Sequence, residues 1–211
     1  MLGLMPNTRG LRLHLAGRGK QLEYFTIGWN LVEGTAAIAA GMMAGSISLW
    51  GFGIDSFIEV TSGAALLWRM SVDANEDERE RNERRALRLV GGCFAALAAY
   101  VGVESIHDLV SHRAPEHSFL GIFVALASLL VMPLLSRAKK RLSAALGSAA
   151  MRADAKQADF CMCLSLILLM GLALNALLDW WWADPAAGLV MVPIIAQEGY
   201  RGLKAENCTC S

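Results

Sequence analysis

Ser46-Ile-Ser-Leu-Trp-Gly-Phe-Gly-Ile-Asp55-Ser-Phe-Ile-Glu59-Val-Thr-Ser-Gly-Ala-Ala-Leu-Leu-Trp68 is an apolar run with two carboxylates at its centre. Crossing roughly 30 Å of hydrocarbon takes about 20 helical residues, so the run is long enough to span a membrane. As a helix it places Asp55 and Glu59 one turn apart on one face near mid-bilayer. An ionised acid at that depth costs several kcal/mol unless something compensates it, and a cation is the natural compensation.

The rest of the chain fits a multi-spanning protein. Hydrophobic residues make up 55% and charged residues only 18%, with 19 basic against 19 acidic side chains, and the charges crowd into short blocks. Five further apolar segments accompany the first, giving six spans near 23–44, 46–69, 87–110, 118–136, 151–178 and 183–201. The fold expected is therefore an all-α integral membrane protein with six transmembrane helices. Lys and Arg favour the amino-terminal tail (Arg9, Arg12, Arg18, Lys20), the block from Arg69 to Arg88, the stretch Ser136-Arg-Ala-Lys-Lys-Arg141, and the end carrying Arg201 and Lys204. By the positive-inside rule both termini are then cytoplasmic. Trp180, Trp181 and Trp182 suit the opposite interface, where indoles rest at headgroup depth.

The organisation expected is a basic tail over 1–22, a six-helix transport domain over 23–204, and a short tail over 205–211 with no soluble domain behind it. The basic first twenty residues lack the apolar core of a signal peptide, so the first span should be retained in a cell (inner) membrane. Cys93, Cys161 and Cys163 lie in apolar runs and Cys208 and Cys210 in the tail, an odd set that does not read as a disulfide framework. The tail cysteines could bind a soft metal, carry a lipid, or be inert.

Span five opens Met151-Arg-Ala-Asp154-Ala-Lys156-Gln157-Ala-Asp159-Phe-Cys161. Gln157 and Cys161 are again one turn apart, so two such pairs on two helices make a four-cornered box suited to a zinc-like cation. An amide oxygen is a poor zinc ligand, and a buried Cys can equally be a small hydrophobe. Asp159 lies about 200° around the helix from Gln157, so it joins the box only if the helix distorts there. Asp154 and Lys156 are either mouth residues or part of the site. Glu33 with Asn30 either lines a vestibule or makes an interhelical bond, and Glu104, His107 and Asp108 either line an exit-side water cavity or, the favoured reading, make structural interhelical bonds.

These stretches resemble the transmembrane part of the cation diffusion facilitator (cation efflux) family. The resemblance is carried by the span-two run through Glu59, by Glu104-Ser-Ile-His-Asp-Leu109, by Arg152 to Cys161, and by Ala183-Asp-Pro-Ala-Ala-Gly-Leu189. It implies a six-helix, dimeric, proton-coupled exporter whose spans two and five hold the ion. Carried over, the metal residues are Asp55 and Glu59 with Gln157 and Cys161, where the family's usual span-five histidine and aspartate are replaced. Small residues at Gly91, Gly92, Ala95, Ala96, Ala98 and Ala99 offer span three a close-packing face for a homodimer.

The expected function is a secondary transporter, not an enzyme, exchanging protons for a divalent cation. Zinc leads, with cadmium, cobalt, manganese and iron as further cargoes, and no cofactor is bound permanently. Two close acids repel when both are ionised, so one carries a proton that the incoming metal expels. Its partners are the metal, protons and the lipid bilayer, with no nucleic acid. The alternative is a non-transporting scaffold or accessory subunit whose polar pairs only specify helix packing.

Overall fold

The computed structural model describes residues 8–71, 76–147 and 149–204, and within them the regular structure is helical throughout. The helices are α1 (Thr8–Ala44), α2 (Ile47–Ser71), α3 (Glu76–Val110), α4 (Phe119–Leu146), α5 (Ala149–Leu178) and α6 (Ala183–Leu203). Cys208, Cys210 and the rest of the tail over 205–211 lie outside the described residues, as do 1–7 and 72–75 of the charged segments.

The ends at one side of the bundle are sharp because local chemistry stops them. Gly45 takes a left-handed φ of 64° between α1 and α2, a conformation that costs glycine no Cβ clash. The Ser46 hydroxyl then accepts from the Leu49 N–H at 3.2 Å, capping α2, and Ser118 does the same for α4 through Gly121 N–H at 3.1 Å. At the other side the helices outrun the apolar segments. The first begins at Thr8 instead of near 23, the third at Glu76, and the fourth runs on to Leu146. Hydrocarbon thickness limits an apolar run but not a helix, which continues into water through residues of mixed charge.

The six helices close into a ring in the order α1, α2, α3, α6, α5, α4, with α2 also reaching across to α5 and α6. Polarity is inverted relative to a water-soluble bundle. Glu23, Asn30, Glu33, Asp55, Glu59, Lys139 and Asp184 are buried, while Phe25, Val32, Met43, Phe119, Phe123, Leu130 and Leu177 face outward. That is the distribution expected where the surroundings are lipid. Stretches of α3 (Leu87–Val110), α4 and α5 (Asp154–Leu178) are long and apolar enough to cross a membrane. The other three carry polar residues inside their apolar runs, among which Asn30, Glu33, Asp55, Glu59 and Asp184 are buried in the bundle.

Glycine sets the closest approaches. A Cβ on Gly53 would meet Ile38 at 2.6 Å and the Gly34 carbonyl at 3.1 Å, and one on Gly91 would strike the backbone of Gly202 and Leu203 at 2.6 and 2.5 Å. The second contact changes the reading of α3. Part of its small-residue face, Gly91 and Ala95, is covered by Gly199 and Gly202 of α6 in the same chain. Ala98 is buried, Gly92 and Ala95 are half-buried, and Ala96 and Ala99 remain turned outward.

Candidate functional site

α2 touches four other helices, and its two acids are shut off from the surroundings. Asp55 is fully buried and Glu59 is 6% exposed. Opposite them on α5 stands Cys161, also fully buried. One ligand atom from each of Asp55, Glu59 and Cys161 lies within 4.8 Å of the other two. Two carboxylates and a thiol at that separation need little closure to share one cation with bonds of about 2.0–2.3 Å.

The hydrogen bonding around the triplet is incomplete. Neither Asp55 oxygen has a partner, and Glu59 uses Oε2 but leaves Oε1 without one. A buried carboxylate usually has its acceptors filled, so an acid with both free stands out. The Glu59 orientation is set from α1, where Asn30 Nδ2 donates to its Oε2 at 2.8 Å while the Asn30 Oδ1 is itself unpartnered. Glu33 accepts from Trp29 Nε1 within α1 at 3.2 Å and makes one interhelical bond, from Ser56 Oγ of α2 at 3.1 Å. Behind Cys161, the Ser165 hydroxyl lies 2.8 Å from both the Cys161 carbonyl and Ser128 Oγ, tying α5 to α4.

The remaining residues singled out in span five go different ways. Gln157 faces α2, but its Oε1 accepts from Ser62 Oγ at 3.0 Å and its Nε2 is buried with no hydrogen-bond partner. Asp159 is not brought to the triplet. Its carboxylate accepts from Ser136 at 2.5 Å and Lys140 at 2.6 Å, both on α4. The helix is undistorted there, so the 200° offset holds and turns Asp159 away. Glu104, His107 and Asp108 lie on α3 outside the triplet and are part or fully exposed.

Two further buried acid clusters join helices distant in sequence. Lys139 of α4, 1% exposed, pairs with Glu23 Oε2 of α1 at 3.2 Å and with Asp154 Oδ2 of α5. One signal of it was available: Met132, Leu135, Ser136, Lys139 and Ser143 are a helical stripe, and all are buried. At the opposite side Asp184 accepts from Ser46 Oγ at 2.6 Å and from the Ser48 hydroxyl, with the Ile47 and Ser48 N–H groups also directed at it. An acid from α6 thereby caps the start of α2.

Known proteins place this architecture. The chain is 28% identical over 156 residues to transmembrane protein 163 of Xenopus laevis, covering 72% of this chain and 55% of that protein. It is 26% identical over 174 residues to an uncharacterized transporter of Synechocystis, covering 78% of this chain and again 55% of the relative. It thus spans about half the length of the curated relatives it matches. Residues 25–206 match the cation efflux transmembrane domain. With a match over nearly its whole length, the chain belongs to the cation efflux family.

Proposed function

We propose that the chain is a proton-coupled exporter of a divalent transition-metal cation, zinc foremost, in a cell membrane crossed six times with both termini in the cytoplasm. The observation that carries this reading is the buried triplet Asp55, Glu59 and Cys161, with three carboxylate oxygens that no hydrogen bond uses. Membership of a transporter family supports it, as does a relative named as a transporter.

Without cargo, two carboxylates facing each other in an apolar interior repel, and a shared proton relieves the repulsion. A cation arriving from the cytoplasm requires deprotonated ligands and releases that proton. Rocking of the bundle then exposes the site outward, where protons compete the cation off and the inward proton gradient drives efflux. The thiol biases the site toward soft and borderline metals, and the bond from Asn30 holds Glu59 ready. Gln157 is a lesser ligand, since its amide oxygen already accepts from Ser62. A homodimer would meet along the outward strip of α3 that α6 leaves uncovered.

The deciding experiment is proton movement in proteoliposomes on adding zinc. Asp55→Asn and Glu59→Gln should each abolish it while leaving the protein folded. Normal zinc-driven proton flux in both variants refutes the site. No flux in the native chain would favour a scaffold.

A further inference from the structure

The Glu23, Lys139 and Asp154 cluster sits at the end of the bundle where α1 begins, α4 ends and α5 begins. Two acids there share one ammonium, and the sharing is uneven: Glu23 Oε2 is bound, but Glu23 Oε1 is buried with no partner although Glu23 is fully buried. A cluster built only to join helices would leave no acceptor orphaned. Lysine is also suited to leave, because its charge is carried on a flexible four-carbon stem that can withdraw toward the nearby end of α4.

The cluster is aligned with the triplet along two helices. Glu23 precedes Asn30 by seven residues on α1 and Asp154 precedes Cys161 by seven on α5, so both intervals are two turns, about 10 Å. Between them runs a polar lining: Thr26 is buried on α1, Gln157 stands at i+3 from Asp154, and Ser62 donates to it from α2. A Cβ on Gly63 of α2, one turn past Glu59, would first meet the Ile27 side chain at 3.1 Å and would lie in ordinary contact, 3.7 Å, with Glu23 Oε2.

We propose that Glu23 and Asp154 form a second, all-oxygen holding site for a divalent cation, whose place the Lys139 ammonium occupies as a tethered substitute until cargo displaces it. A divalent ion matches the two carboxylates in charge once both are ionised, and it gives Glu23 Oε1 a partner. Oxygen-only donors accept hard and borderline ions alike, so this site admits cargo and leaves discrimination to the thiol. The order of passage, inner site first, rests on the export reading above; the site itself does not.

The test therefore separates the two. In the full-length chain carrying Asp55→Asn and Glu59→Gln, which removes the central carboxylates, Mn2+ binding is followed by loss of the free-ion electron paramagnetic resonance signal. Adding Lys139→Met should tighten binding of one Mn2+ by at least about tenfold, and adding Glu23→Gln to that chain should remove it. No bound Mn2+, or binding indifferent to Glu23→Gln, overturns the proposal whether or not the protein exports metal. Should Lys139→Met not fold, Glu23→Gln in the otherwise native chain decides. Its affinity for a second Mn2+ should fall several-fold with central-site affinity unchanged, and two unaltered Mn2+ affinities with only a lower melting temperature overturn the proposal.

Discussion

Asp184 and Asp55 are both buried aspartates in the same bundle, and they live in opposite circumstances. Asp184 accepts from two serine hydroxyls and faces the first N–H groups of α2. Asp55 accepts from nothing. Burial alone therefore does not distinguish a working acid from a structural one; the state of its acceptors does. A filled carboxylate at a helix start stabilises the native packing. An unfilled one detracts from stability and is retained where a ligand completes it.

The largest expected effect tests that contrast directly. Asp184→Ala should lower stability by about 2–3 kcal/mol, since it strips the acceptor from buried hydroxyls and N–H groups, and cation binding by the folded fraction should persist. Asp55→Asn should do the reverse, abolishing cation binding at the central site in calorimetry while stability stays within about 1 kcal/mol of the native chain. Equal destabilisation by both would break the comparison. Next in size, Cys161→Ser should weaken cadmium or zinc binding about tenfold or more and manganese only about twofold. An equal loss for all three removes the thiol from the ligands. Asn30→Ala should then cost about 1–2 kcal/mol of cation affinity, several-fold in the dissociation constant, by freeing Glu59 from its donor. The smallest effect belongs to Asp159→Asn. Its carboxylate is about 40% exposed and bound to Lys140 and Ser136, and such a pair contributes only about 0–1 kcal/mol, so affinity should change by less than about twofold; a large loss would return Asp159 to the site.

Much of the fold was legible because the membrane constrains it. Helix ends at Gly45, at the His112 to His117 loop and at Asp179 to Pro185 fall where glycine, proline and loop chemistry interrupt apolar runs. The opposite ends were not legible, because no breaker marks where a helix passes from hydrocarbon into a charged stretch. Asp55 and Glu59 announced themselves as acids in an apolar run, whereas Cys161 was offered only by its one-turn spacing from Gln157 and read equally as a small hydrophobe. The small residues of α3 were recognised as a packing face, but whether a second copy or α6 covers them depends on Gly199 and Gly202, about a hundred residues away.

The sequence alone determined that this is a helical membrane protein carrying a pair of acids one turn apart within the bilayer, because hydrophobic run length and the 3.6-residue period are local properties. Only the tertiary structure decided which partners those acids have. It set Cys161 against them, turned Asp159 to α4, filled the acceptors of Asp184, and joined Glu23 to Lys139 across 116 residues. Hydrogen bonds and ligand sets form between helices, and the rotation of each helix about its axis is settled by packing against its neighbours rather than by its own pattern.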